Sequence, residues 1–548
     1  MLIPFIGGSY QGRSSNVAPE TCINLFVERG KSSESLVGTA GSATLVTPAV
    51  AEVRGGIAYN NLAYFVVGAT LYEVNSAGTA TSRGTLNSSS GRVSMAHNGV
   101  RPSANQQIMI VDGVDGYIYN NATSTLTQIT DTEFVSSDSV VFLDGYFVFA
   151  QNGGSDRFWL TEQYDGTSII GTDFATAEGS PDSIQSLVAD NRELFIFGTE
   201  TLEVWYNSGD TDNTFQRFQG GFKQHGCVAK YSPARFDNSV IWLSRNDRGD
   251  GEVVMLGEGY QPRIVSTVEL NYQLSTYNNI DDAFGYSYQH EGHEFYILTF
   301  PAANVTWAYD ASTKEWHIRS HYIGSIPSRE RYSCHVFAFG EHLFGDFLNG
   351  NIYKLDGSIG TFAGNAVPRE RTTISVSDEE NRRRLVSMQL DMAEGIGSGD
   401  STSSTTLGGA EAVGQTTLTV TSSTGMLARQ RIEIDDDNGG THSTTITSVT
   451  DGTTIIVDDA LTVACASGNA VRFYVANNDD VFELSYSKDG GHTFSNLVQR
   501  NAGEGGDWAK RVIWRRLGQA RNWIFRITTK TPKRPVLKGL IAKMYGED

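Results

Sequence analysis

One figure recurs seven times before residue 360: an apolar run, a tight turn and a second apolar run. It opens as LAYFVVGATLYEV around Gly68 and returns as QIMIVDGVDGYIYN around Gly113, YFVFAQNGGSDRFWLT around Gly154 and ELFIFGTETLEVWY around Gly198. SVIWLSRNDRGDGEVVML follows around Gly251, EFYILTFPAANVTWAYD turns at Pro301 and Ala302, and HLFGDFLNGNIYKL ends the series around Gly345. Successive glycines stand 45, 41, 44 and 53 residues apart, and the 94 from Gly251 to Gly345 make two further steps. A repeat of that length, with strands in every unit and no helical periodicity, predicts a β-propeller.

The physical reason for the recurrence is burial. One small sheet cannot cover both of its faces, whereas a copy on either side can. The expectation is therefore an all-β chain: an N-terminal arm over 1–50, then a propeller over 51–360 of about seven blades, with six or eight left open. Composition agrees, since 58 glycines, 11% aromatic and only 19% charged residues suit many short strands. TWAYDASTKEWHI reads as strand, type I turn on Asp310 to Thr313, and strand, with Trp307 and Trp316 as packing bulk. The aromatic residues of the repeat are expected in the core between blades rather than around a ligand.

After Leu355 the rhythm stops. Residues 361–397 and 473–548 alternate again, as in LVSMQLDM, VFELSYS and NWIFRITT, and predict a C-terminal β region. Between them, GSGDSTSSTTLGGAEAVG leads into TTLTV, RIEID, TTITSV and TTIIVDD, which read as a small β domain, 398–472, inserted into a solvent-facing loop of its host.

Charge singles out one stretch. The chain carries a formal −20, with 62 acidic against 42 basic residues, which argues against wrapping nucleic acid electrostatically. Residues 510–543 nevertheless hold eleven Lys and Arg and no acid, leaving a formal −31 on the remainder. Within that stretch Lys510, Arg511, Arg515, Arg516 and Arg521 are the candidate residues for docking a subunit or an acidic partner, with a patch that meets DNA in a lumen and a merely solvated face as the other readings. Trp508, Trp514, Trp523 and Phe525 are interleaved with them and would suit stacking on single strands. Strand alternation instead predicts the aromatic rings turned inward and the cations outward.

Motifs that could carry chemistry are sparse. SKDGGHTF matches the Asp-box pattern S-x-D-G-G-x-T-[WF], in which Ser487, Asp489, Gly490 and Gly491 serve a β-turn. The box is frequent in sialidases, so a propeller-type sialidase or glycosidase is the alternative function, although YQPRIV around Arg263 lacks that family's F/Y-R-I-P start. His290, His293, His317 and His321 suggest zinc only superficially, because His290 and His293 would point to opposite faces of a strand. Asp435, Asp437 and Gly439 of IDDDNGG depart from the calcium-loop spacing and read as a turn. No phosphate loop and no nucleophile elbow occurs, so no enzyme, cofactor or metal is expected.

The four cysteines, Cys22, Cys227, Cys334 and Cys465, are scattered without a CxxC pair and read as buried free thiols. MLIPFIGGSYQG is no secretory signal, and no run approaches a membrane span. The expectation is a soluble protein made in a cytoplasm, without stable membrane insertion, whose sequons at Asn121 and Asn304 carry no glycan.

Several segments together resemble one family, the packaged-DNA stabilisation proteins, or tail hub and nozzle proteins, of short-tailed phages. They are GRVSMAH (91–97), IQSLVADNRELFIFGTETLEVWY (184–206), LDMAEGIG (390–397) and KRVIWRRLGQAR (510–521). ETCINLFVE followed by TPAV is similar to the family's opening, with Pro48-Ala49 where Pro-Gly is usual. The likeness spans nearly the whole chain, and 398–472 is the departure. It implies a virion tail component that forms a homo-oligomeric ring, of six copies in that family, beneath the head-to-tail adaptor. Further implied are a lumen that passes double-stranded DNA without reading its sequence, a needle or plug at the tip, neighbouring fibres or spikes, and retention of the packaged genome.

Overall fold

The computed structural model describes residues 1–99, 106–177, 179, 182–210, 214–246, 248–324, 326–377, 382–393, 401–426, 431–475, 481–502 and 510–546. Strands dominate, and the described residues contain one α-helix, Val268–Ser275, between the fifth and sixth blades.

Seven sheets form the propeller. Blade 1 comprises Val53–Tyr59, Leu62–Val67, Thr70–Val74 and Ala80–Thr85, hydrogen-bonded in chain order. Blades 2 to 6 repeat that order with first strands Ser94–His97, Val140–Leu143, Ile184–Asp190, Ala234–Phe236 and Phe284–His290. Each first strand packs on the next, and that of blade 7, Tyr332–Ala338, meets that of blade 1 and closes the ring. Blade 7 draws its fourth strand from far upstream: Gly41–Val46 pairs antiparallel with Ile352–Asp356, Ser42 opposite Leu355, and the short Thr361–Phe362 and Asn365–Ala366 continue the sheet beyond it.

The recurring figure of the sequence is the hairpin between the second and third strands of each blade. Phe65, Val67, Ile108, Ile110, Val148, Ile196, Trp242, Val254, Leu298 and Leu343 from these runs are buried between blades. Trp307 and Trp316 are buried in the same way. The turn between first and second strands is as regular. In six blades it is two residues long with both φ positive: Asn60-Asn61, Asp144-Gly145, Asn191-Arg192, Asp237-Asn238, Glu291-Gly292 and Phe339-Gly340. These are the mirror-image turns whose twist matches a hairpin.

Residues 1–50, read as an arm, are shared out between the chain's two ends. Leu25–Arg29 and Glu34–Gly38 continue a sheet with Val536–Gly546, Arg383–Met392 and Val512–Ala520, and Leu2–Ile3 pairs with Val536–Gly546. Cys22–Ile23 joins Arg369–Thr372, Asn522–Thr529, Val481–Ser487 and Val498–Asn501 in a second sheet. The two sheets sandwich a core that includes Phe5, Leu36, Met388, Leu484, Trp514, Trp523 and Leu540. Ile23 also pairs in parallel with Ile318, which makes the second sheet continuous with blade 6.

Residues 401–475 fold around their own core of Leu418, Ile432, Ile434, Ile446, Ile455, Val471 and Phe473. Their strands run in the order Ser401–Thr406, Ala470–Val475, Arg431–Asp435, Thr441–Val449, Thr454–Val457 and Thr417–Thr419. A bridge between Leu407 and Val420 brings the last strand back to the first at one end, so the sheet curls into a small barrel.

Candidate functional site

The five cations singled out by the sequence lie along Val512–Ala520, an edge strand of the first sandwich sheet, and at its two ends. Lys510, Arg511, Arg515, Arg516 and Arg521 are all exposed, and none forms an ion pair among the described residues. The neighbouring Trp514, Leu517 and Ala520 turn into the core. Simple alternation would send Arg516 inward. A bulge prevents this: Ser387 pairs with Arg515 while Leu385 pairs with Gly518, so the edge strand carries one extra residue. Arg516 takes φ 60° and Gly518 φ 93°, and both Arg515 and Arg516 emerge on the outer side.

Cross-strand register enlarges this face. Ser387 stands between Arg515 and Lys543, and Arg384 stands between Gln519 and Tyr545. Lys543 lies 5.6 Å from the centre of the Tyr545 ring, which is 55% exposed. Leu2, opposite Ile541 and 70% exposed, adds an apolar margin. Arg384 was not among the sequence candidates; its signal is the run of three arginines, 382–384, at the head of LVSMQLDM. Two cations farther along the basic stretch serve the fold: Arg526 meets Glu370 at 3.4 Å and Arg534 grips Glu291 at 2.6 Å.

Trp523 and Phe525 are buried and stack on each other at 5.7 Å, so they are core rings rather than a platform for bases. Trp508 lies outside the described residues. An exposed array of Arg and Lys with an aromatic margin can hold an anionic surface by charge and by stacking.

The Asp box is a turn whose polar groups satisfy one another. Ser487 Oγ donates to Asp489 Oδ1 at 2.7 Å and accepts from Gly491 N at 2.8 Å. The Thr493 amide and hydroxyl donate to Asp489 at 2.9 and 2.5 Å, and chiefly the hydroxyl bond holds that carboxyl far below its usual range. Gly490 and Gly491 take φ 73° and 93°. Ser15 Oγ donates to the Gly490 carbonyl at 2.8 Å, so the box anchors the N-terminal loop.

Among the described residues no three His, Cys, Asp or Glu side chains converge as a metal site. His290 and His293 face each other across a hairpin turn, and His293 Nδ1 contacts Asp310 Oδ2 at 2.7 Å. His317 accepts from Arg319 Nε at 2.9 Å, and His321 Nδ1 accepts from the Arg331 amide at 3.2 Å. In the barrel, Asp435 pairs with Arg472, and Asp437 accepts from the Ala466 amide at 2.7 Å and from Asn469 at 2.9 Å. Gly439 takes φ 79° in that turn. Arg263 is exposed on the outermost strand of blade 5. All four cysteines are free and buried, and burial pushes the Cys22 and Cys227 thiols up to about 12.

The propeller's own axis is bridged by side chains from non-adjacent blades. Arg92, at the entry to blade 2, donates to the Ser333 carbonyl of blade 7 at 2.8 Å and lies over the Phe284 ring of blade 6 at 4.1 Å. Lys230, at the entry to blade 5, pairs with Asp138 at the entry to blade 3, and Tyr231 donates to the same carboxylate at 3.3 Å.

Comparison with known proteins gives two family-model matches. The model described as "Bacteriophage P22 Gp10, beta-propeller" matches residues 1–360, and "Bacteriophage P22 Gp10, beta-sandwich" matches residues 441–545. No curated protein matches the chain. Among solved structures, the Neurospora crassa Pan2 WD40 domain is 8% identical, with a TM-score of 0.36, covering 57% of this chain and 95% of that one. The RRP9 WD40 repeats are 9% identical, with a TM-score of 0.34, covering 61% of this chain and 97% of that one.

Proposed function

The chain belongs to the Bacteriophage P22 Gp10 family, and on that premise we propose that it is a structural protein of the virion tail, not an enzyme. In this reading it is a hub or nozzle: copies assemble as a ring, six in number, below the head-to-tail adaptor, surround the DNA exit channel and help retain the packaged genome. The observation that carries the reading is the pair of family matches, one to the propeller and one to the sandwich. Two features of the fold support it.

The first is the bridged axis. With Arg92 reaching blades 6 and 7, and Lys230 tied to Asp138, duplex DNA has no passage along the propeller's own axis at that face. A DNA channel therefore belongs between copies. The second is charge. An acidic body carrying one exposed cationic face provides the unlike patches that a closed ring of identical subunits needs. In this assembly Lys510, Arg511, Arg515, Arg516 and Arg521 dock a neighbouring subunit or the adaptor. An acidic lumen wall lets DNA slide without binding, and the needle or plug and the fibres or spikes attach to the completed ring.

The test is reconstitution. Purified protein is added to virions that lack this component and is followed by light scattering, negative-stain imaging and DNA leakage. The expected result is a ring on the tail stump, six-fold in projection, and retained DNA. A stable monomer that neither joins the particle nor slows leakage overturns the reading.

A further inference from the structure

Six of the ten histidines fall between residues 290 and 342, and all six lie in blades 6 and 7. The tail function makes no use of them. His335 Nε2 and His342 Nδ1 meet at 3.0 Å on blade 7, and the His290 ring of blade 6 stands 6.1 Å from that of His342. Tyr288 packs against both blade 7 imidazoles at 5.6 and 5.8 Å. A line of three imidazoles thus crosses the seam between the two blades.

The other three reach the N-terminal strands. Phe26, in the sandwich strand Leu25–Arg29, lies 4.8 Å from the His293 ring and 6.4 Å from that of His317. His321 stacks at 4.1 Å on Phe362, whose backbone pairs with Ser42 of the closing strand Gly41–Val46. Blade 7 is also where the ring depends on a strand from about 300 residues upstream, Gly41–Val46 on Ile352–Asp356.

We infer that the histidine-lined seam of blades 6 and 7 is an acid-operated opening in the propeller, which frees Gly41–Val46 and the Phe26 contact while blades 1 to 5 stay folded. The charges around it leave little to neutralise an imidazolium. His335 and His342 face Tyr286 and Tyr288 from blade 6; the nearby Glu341 is held by Lys354, and Glu291, whose Oε2 stands 3.7 Å from His290 Nδ1, is shared with Arg534. His317 faces Arg319, and His321 faces Arg331, Arg319 and Arg369, with Asp346 already claimed by Arg331. Glu330 is buried, accepts from Tyr286 and has its carboxyl pushed up by burial.

Burial holds His290, His317 and His342 below the ordinary imidazole value, and brings His321 and His335 to about 3. Bases held down in the folded state favour folding above their unfolded value, and that support is lost as pH falls below it. His293 acts in the opposite sense, because its bond to Asp310 raises it, so five groups oppose one. His97 of blade 2 is also held down by burial, but as one group on its own blade.

Hydrogen exchange of the full chain at about pH 7.5 and about pH 5, corrected for intrinsic rates, tests the opening. The expected result is that protection of Gly41–Val46 and Tyr332–Ala338 falls at least about thirtyfold more than that of blades 2 to 4, the linkage of one imidazole held neutral across this range. Uniform loss across all blades, or unchanged protection of Gly41–Val46, overturns the proposal. The pair His335→Gln and His342→Gln, neutral at both pH values, is expected to blunt the response. A full response in that variant overturns the part assigned to these two rings.

Discussion

Arg92 and Phe284 belong to blades separated by two others in the ring, yet the guanidinium of one lies 4.1 Å from the ring centre of the other. The contact replaces an open axis with a tie between opposite walls. A cation over a desolvated ring contributes about 0.5–2 kcal/mol, and the bond to the Ser333 carbonyl adds about 1 kcal/mol. Arg92→Met keeps most of the stem and removes both. The expected outcome is a stability loss of about 1–3 kcal/mol in urea unfolding, and, on the proposed placement of the DNA path between copies, ring formation and DNA retention are expected to be unchanged. Loss of DNA retention by a folded Arg92→Met protein contradicts that placement of the path.

Charge reversal at Arg515 and Arg516 tests the cationic face. Both side chains are exposed and outside the core, so Arg515→Glu with Arg516→Glu is expected to leave the unfolding midpoint within about 0.5 kcal/mol of the parent. Assembly is expected to fail, and assembly of the parent protein to weaken as salt shortens the screening length from about 10 Å toward about 3 Å. Light scattering across a salt series reads both. Salt-insensitive assembly, unaffected by the reversal, removes the electrostatic dock.

The unequal legibility of the chain has physical causes. The hairpins around Gly68, Gly113, Gly154 and Gly198 were readable because both strands of each are buried and adjacent, which writes two apolar runs a few residues apart. The first turns of the blades carried a signal just as regular, in Asn60-Asn61 and Asp237-Asn238, but it consists of polar residues that tolerate positive φ and passes for an ordinary loop. The closing strand Gly41–Val46 could not be located, because its partner Ile352–Asp356 is remote and four of its six residues are not buried. On the cationic face, alternation gave Trp514 inward and Arg515 outward correctly. Arg516 was drawn outward by a bulge whose only trace in the sequence is Gly518.

The Asp box offers a test that separates a turn from a catalytic centre. A Cβ on Gly490 would stand 1.3 Å from Asn16 Oδ1, at a φ of 73° that L residues adopt only at a cost. Gly490→Ala is therefore expected to displace the N-terminal loop and to increase proteolysis near residues 13–17. The bonds to Asp489 depend on its charge: its carboxyl is lowered on folding, so its support is present above the ordinary carboxylate value and is lost as pH falls through the folded one. Asp489→Asn is expected to remove that acid dependence, read as the pH profile of the loop's proteolysis. An unchanged profile contradicts the assigned role.

The barrel of residues 401–475 is expected to be separable from its host. Its core residues, among them Ile432, Ile446, Ile455 and Phe473, pack with one another, and the core cluster they form includes no residue of the sandwich. The host core around Trp514, Met388 and Leu484 is likewise complete without any residue from 401–475. Replacing 401–475 by a short Gly/Ser linker is therefore expected to shift the melting temperature of the remainder by only a few degrees, an effect of about 1 kcal/mol. The excised segment is expected to unfold cooperatively by itself, although its small size makes it only marginally stable. If the shortened chain instead loses its sandwich transition in calorimetry, then the barrel holds Arg383–Met392 and Val481–Ser487 in register, and the two units fold as one.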